Sequence, residues 1–425
     1  MNIGFIKNKI LDNIQNNLNV KNIKYLLYFI ANPIILSLYG LSFKSITDKY
    51  LNFYTLQYMK ELYSGKYPIA YGSLFIPYEL LNGMGLKPLL PEVMGGFTAG
   101  LGISNQTLTS AAKNWYQADL CTFHRSATGA TILDLFPKPN FIFSTNLACD
   151  AACKSFEAMA KKYNLKDNFY FIDVPYNNDK PSIKYLASQL EDIFYDVSAK
   201  IKSKPSIEDL KKSINYSNEF RKQALKVNTI RKELFDYPIY YNGLNYILPF
   251  FGLCGTKQSA NLYKIMAQEF QDKQKNQTST KKMKKILWLH LKPYYPNEIF
   301  VILENYNCRV VSEEFTHVYW NEIDVNEPFL GLADKMLSNP LRGDGRNRLN
   351  TILKIADDYK IDGVIMFSHW GCRQSNGIAK ILKDELTKKS IPLLNLDGDC
   401  VDKNNASVGQ TKTRVEGFAE IINSI

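Results

Sequence analysis

The chain has 425 residues, 45% of them hydrophobic, and a formal net charge of +11, which gives enough apolar material for two or three packed domains and excludes a disordered chain. Only 9 of its 52 basic residues are arginine and no basic motif interleaves with aromatics; this argues against a nucleic-acid partner and leaves a lysine-rich surface or attraction to a phosphate-rich ligand. Seven cysteines without disulfide spacing, and no signal-peptide pattern, point to a reducing cytoplasm. Residues 1–66 read as a helical N-terminal segment. Within it, residues 25–43 carry no charge and approach membrane-spanning length. Asn32–Pro33 interrupts them, which favours two buried helices or a surface hairpin over a transmembrane span.

From residue 67 the pattern alternates. Short apolar runs at 69–75, 87–93, 141–143 and 169–174 read as strands, with helical stretches between them, giving a first α/β domain over 67–180. Residues 181–280 read as a helical connecting region that ends in a polar, basic linker. A second α/β domain is expected over 281–425, with strands at 286–291, 309–311, 364–367 and 391–396 and a last helix beginning near Thr411. The fold class is therefore α/β: two doubly wound parallel-sheet domains with a helical N-terminal segment and a helical connecting region.

Cys149 and Cys372 each lie in a polar loop just beyond a predicted strand, and Cys121 lies at a helix–loop boundary. In open parallel sheets the carboxyl ends of the strands face the ligand, so two such domains facing each other bring these loops to one cleft. Three thiolates can hold an iron–sulfur cluster or a zinc ion, although spacing alone does not separate a metal site from unrelated thiols. Cys153, four residues after Cys149, lies near the site or in the core. Cys254 and Cys308 read as small buried hydrophobes, and Cys400 is ambiguous.

Five segments resemble the 2-hydroxyacyl-CoA dehydratase family, also called the 2-hydroxyglutaryl-CoA dehydratase D-component family, which includes benzoyl-CoA reductase subunits. In chain order they are SLFIPYELLNGMGLKPLLPE (73–92), DLCTFHRSATG (119–129), NLACDAACKSFEAMAKKYN with FYFIDVPYN (146–177), DGVIMFSHWGCRQSNG (362–377) and LDGDCVDKNNASVGQTKTRVEGF (396–418). The resemblance spans residues 67–425. It implies a [4Fe–4S] cluster held by Cys121, Cys149 and Cys372 with one iron lacking a cysteine. It also implies an acyl-CoA thioester substrate, a homologous second subunit in a heterodimer, and a separate ATP-dependent iron–sulfur activator protein. The implied activity is loss of water from a 2-hydroxyacyl-CoA through a ketyl radical after one-electron activation. A benzoyl-CoA-reductase-type subunit or a non-catalytic electron relay is the alternative. No GxxxxGK[ST] loop occurs in the chain, so ATP use is expected to be external.

Helper residues are read from position. Ser73, near a strand end, and Glu79, just after Pro77, are candidates to face the cleft; Glu79 equally suits a helix-start carboxylate. His369, beside Cys372, is a proton donor or hydrogen-bond partner, or else a satisfied loop residue. Arg125 suits a carboxylate partner or a charge that tunes the cluster. Arg342, Arg346 and Arg348 suit bidentate binding of CoA phosphates, or a solvated loop and helix start.

Overall fold

The computed structural model describes residues 45–425 except residue 115 and the segments 235–242, 278–282 and 318–320. The apolar stretch at 25–43 lies outside the described residues. Among the described residues no helix is long and apolar enough to cross a membrane.

Two four-stranded parallel sheets carry the fold. The first contains β1 (Ile69–Gly72), β2 (Lys87–Leu89), β3 (Phe141–Thr145) and β4 (Phe169–Ile172), in the order β2-β1-β3-β4. The second contains β5 (Lys284–Leu289), β6 (Cys308–Glu313), β7 (Gly363–His369) and β8 (Leu393–Gly398), in the order β6-β5-β7-β8. The two orders are the same: the second strand lies to one side of the first, and the third and fourth to the other. Every pairing is parallel. The central strands β3 and β7 are buried along their whole length, as continuous apolar runs sandwiched between helices require.

The helices follow from stripes and caps. Helix Asp150–Tyr163 buries Ala152, Ser155, Phe156, Met159 and Ala160, one face at 3.6-residue spacing. Asn164 ends it in the left-handed conformation. Between the sheets run three long helices, Lys180–Lys200, Ile207–Arg231 and Lys257–Lys275. Ser206 and Asp209 form a capping box at the start of the second, and Thr256 caps the third. Helix Ile46–Leu62 is capped by Ser45, and Thr47 at its start hydrogen-bonds Glu269 of the third long helix.

Some elements differ from the sequence reading: the run at 69–75 is a strand only to Gly72, and Cys121 precedes a helix rather than following one. The run at 87–93 is a strand only to Leu89, and Pro91 opens a helix, Pro91–Gly100. Proline pre-sets the first helical turn, and the glycines that follow let this helix pack closely against helix Thr122–Ile132. A Cβ on Gly95 would come within 2.6 Å of the Phe123 carbonyl oxygen.

Candidate functional site

Each sheet changes direction between its two central strands, at the point where a crevice opens beyond the strand ends. In the first sheet this point lies between β1 and β3; in the second, between β5 and β7. The loops leaving these strands meet in one cavity of about 410 Å³, lined by Cys121, Cys149 and Cys372 among others. Gly371, at φ +79°, makes this convergence fit: a Cβ there would stand 2.6 Å from the Cys121 amide nitrogen and 2.8 Å from its Cα. Thr122 donates a hydrogen bond of 2.6 Å to Asp399 across the domains, and Arg373 pairs with Asp150 at 3.2 Å.

The three cysteines share one local design. Cys121, Cys149 and Cys372 are the residues that immediately precede helices Thr122–Ile132, Asp150–Tyr163 and Arg373–Asn376. None of the three sulfurs makes a capping hydrogen bond, but the helix-start amides of Phe123 and His124, of Ala151 and Ala152, and of Ser375 lie near enough to favour the respective thiolates. Each sulfur also faces an imidazole Nε2: Cys121 meets His369 at 3.3 Å, Cys149 meets His124 at 3.3 Å and Cys372 meets His290 at 3.5 Å. Nδ1 of His369 accepts the Cys400 N–H at 3.0 Å, which assigns the proton to Nε2, toward Cys121. Burial keeps all three rings neutral, holding His124 and His369 down to about 4 and His290 well below its usual value. Burial raises all three thiols, Cys149 to about 12, and the Cys149 and Cys372 thiols raise Cys121 further.

Among the described residues no three Cys, His, Asp or Glu side chains converge tightly enough for a single metal ion. A cubane is wider than one ion and spreads its thiolates accordingly. The donor set fits such a group. Three thiols from two domains repel one another when ionised and need positive charge between them. Their helix-start amides and neutral imidazoles offer hydrogen bonds to an anionic, thiolate-held cluster.

The other expected site residues are dispersed. Ser73 is buried at the end of β1 and is not part of the cavity lining, although its neighbours Leu74 and Phe75 are. Glu79 is fully buried and likewise outside the lining; its carboxylate is ion-paired with Lys335 and accepts the Ser217 hydroxyl at 2.5 Å. Arg342 hydrogen-bonds the Leu337 and Tyr176 carbonyl oxygens, and exposed Arg346 pairs with Asp344. Arg348 turns inward instead. It grips both carboxylate oxygens of Glu314, at 2.5 and 2.9 Å, and the Ser375 carbonyl at 2.8 Å. Because Glu314 also accepts the His290 N–H at 3.1 Å, this buried pair ties the His290 turn to the short helix after Cys372. Arg125 points away, to the Ala118 carbonyl. Cys153 reaches back toward the Thr145 carbonyl at 3.5 Å, Cys254 lies 3.9 Å from Lys335, and Cys308 is buried.

Three lining groups were not singled out from the sequence: His124, His290 and Glu92. The histidines carried a signal, since the chain has only four and His124 sits three residues past Cys121. Glu92 carried none. Its Oε2 accepts the Leu74 N–H at 2.7 Å, and its Oε1 lies 3.5 Å from His124 Nε2. Burial without a cationic partner raises its carboxyl to about 8, so it is protonated at neutral pH.

Comparison with known proteins adds an independent line. Residues 73–422 match the family described as 2-hydroxyglutaryl-CoA dehydratase, D-component. The chain is 24% identical over 369 residues to the (R)-phenyllactyl-CoA dehydratase alpha subunit of Clostridium sporogenes, covering 81% of this chain and 87% of that one. It is 26% identical over 302 residues to the (R)-2-hydroxyglutaryl-CoA dehydratase alpha subunit of Acidaminococcus fermentans, covering 67% of this chain and 60% of that subunit. It is 20% identical over 404 residues to a benzoyl-CoA reductase subunit of Thauera aromatica, covering 85% and 93%.

Proposed function

Because this chain belongs to the 2-hydroxyglutaryl-CoA dehydratase D-component family, we propose that it is the cluster-bearing subunit of a 2-hydroxyacyl-CoA dehydratase. In this reading it works beside a homologous second subunit and is primed by a separate ATP-dependent iron–sulfur activator. The observation that carries the reading is the convergence of Cys121, Cys149 and Cys372 on one cavity, each at a helix start and each facing an imidazole Nε2. These three residues would hold a [4Fe–4S] cluster, which when bound supplies a low-potential electron and an iron open to a substrate oxygen.

The chain's own residues supply the rest. The Nε2–H of His369, and the matching nitrogens of His124 and His290, orient and hydrogen-bond the sulfurs, a contact that tunes potential. Phe123 and Phe315 flank His369 and His290 with ring centroids at 5.1 and 5.8 Å, and exclude water that would quench a substrate radical. Elimination removes hydroxide from carbon 2 and a proton from carbon 3. Protonated Glu92, through Oε1, gives a proton to the departing oxygen; the resulting carboxylate takes the proton from carbon 3 and is restored.

A second reading, as part of a CoA-thioester reductase, draws on the likeness to the benzoyl-CoA reductase chain. Anaerobic reconstitution with the partner subunit, activator, ATP and a low-potential reductant separates the two. A dehydratase turns over many 2-hydroxyacyl-CoA molecules per electron supplied, whereas a reductase consumes electrons in proportion to product. Dehydration by the isolated chain without activator or ATP contradicts both the partnership and the radical route.

A further inference from the structure

The cavity beside the thiols has a particular wall. From the His290–Cys372 pair an aromatic row leads away: Phe315 beside His290, then Phe75 stacked on Phe315 with centroids 6.3 Å apart. From the His369–Cys121 pair a second row leads away: Phe123 edge-on to His369, then Tyr294 edge-on to Phe123 at 5.9 Å. Leu248 and Phe97 add to the apolar lining. If carbons 2 and 3 of an acyl group react at the thiol end, the tail on carbon 3 lies among these rings.

Charge points the same way. Among the described residues, Arg348 is the only lysine or arginine in the lining, and both arms of its guanidinium are committed to Glu314 and Ser375. Lys292 lies over the rings of Tyr294 and Phe300 and is not part of the lining. The lining also holds Asp48, while Glu92 is neutral there. A tail ending in a carboxylate would lose its water here and meet no available cation among the described residues.

Building on the dehydratase reading, we infer that this cavity selects a 2-hydroxyacyl-CoA with an apolar tail, branched aliphatic or aromatic, and rejects one with a terminal carboxylate. Beyond the thiols that would hold the cluster, the ring-lined walls of this cavity bind such a tail by removing apolar area from water.

The test is equilibrium binding to the full chain, purified anaerobically with any partner subunit it retains, using saturated thioesters that cannot be dehydrated. 4-Methylpentanoyl-CoA and 3-phenylpropanoyl-CoA should bind roughly tenfold or more tighter than glutaryl-CoA. Phe97→Arg, at a half-exposed position of the lining, should narrow that gap by strengthening glutaryl-CoA. Glutaryl-CoA binding as tightly as the apolar thioesters, or no thioester binding at all, overturns the inference. Tight apolar binding without dehydration of the matching 2-hydroxy thioesters leaves the inference standing and removes the dehydratase reading instead.

Discussion

Glu79 and Glu92 are two buried carboxylates in one stretch of the first domain, and they are solved in opposite ways. Burial pushes Glu79 up, but the Lys335 ammonium, its hydrogen bond and that of Ser217 outweigh it, leaving the carboxyl below its ordinary range. Lys335 is correspondingly raised despite its own burial. Glu92 has a backbone N–H and a neutral imidazole for neighbours and no cation, so burial prevails. A buried carboxylate with a matched ammonium is a structural tie; here it joins the first domain to helix Pro328–Leu337 of the second. A buried carboxyl without one, on a cavity, stays protonated, which is what the proton-transfer role proposed for Glu92 requires.

The sharpest way to break this contrast is Glu79→Ala. It strands a buried ammonium and should destabilise the protein by about 3–5 kcal/mol, measured by denaturant unfolding. Replacing both partners, Glu79→Gln with Lys335→Met, should recover most of that loss; if it does not, the pair is more than a tie. At Glu92 the balance reverses. Glu92→Gln keeps a neutral side chain of the same shape and should barely change stability, while lowering dehydration by about 10²-fold or more. A stable but fully active Glu92→Gln enzyme removes its proposed role.

Two smaller effects refine the comparison. Glu92 binds its proton more tightly in the folded chain, with its carboxyl raised from 4.5 to about 8. Its contribution to stability is therefore full below pH 4.5 and declines as pH rises toward about 8. Glu92→Gln should flatten that decline, whereas the Glu79 contribution runs the other way and is lost as pH falls through the lowered carboxyl value. Gly371→Ala tests the closeness of the domains at Cys121. With φ at +79° and no room for a Cβ, it should cost about 1–3 kcal/mol. An unchanged melting curve would mean that the two loops separate freely.

Much of the architecture was legible because parallel strands are continuous apolar runs, and 364–367 and 141–143 announce β7 and β3 directly. The cysteines were legible for a related reason: Cys149 and Cys372 follow those strand ends, where open sheets bind ligands. The pairing of Glu79 was not, because its partner Lys335 is distant in the chain and adjacent in space. The inward turn of Arg348 depends in the same way on Glu314 and Ser375. The helix at Pro91 was masked by an apolar run that reads as strand, with proline as the overlooked start signal.

The central claim is that Cys121, Cys149 and Cys372 hold one [4Fe–4S] cluster, and iron with acid-labile sulfide per chain tests it most directly. Protein purified without oxygen should contain about four irons and four sulfides per chain. Cys121→Ser, Cys149→Ser and Cys372→Ser should each lose or degrade this content, while Cys254→Ser and Cys308→Ser should retain it. Tightly bound zinc without sulfide, or full iron content after serine replaces any one of the three, would contradict the account.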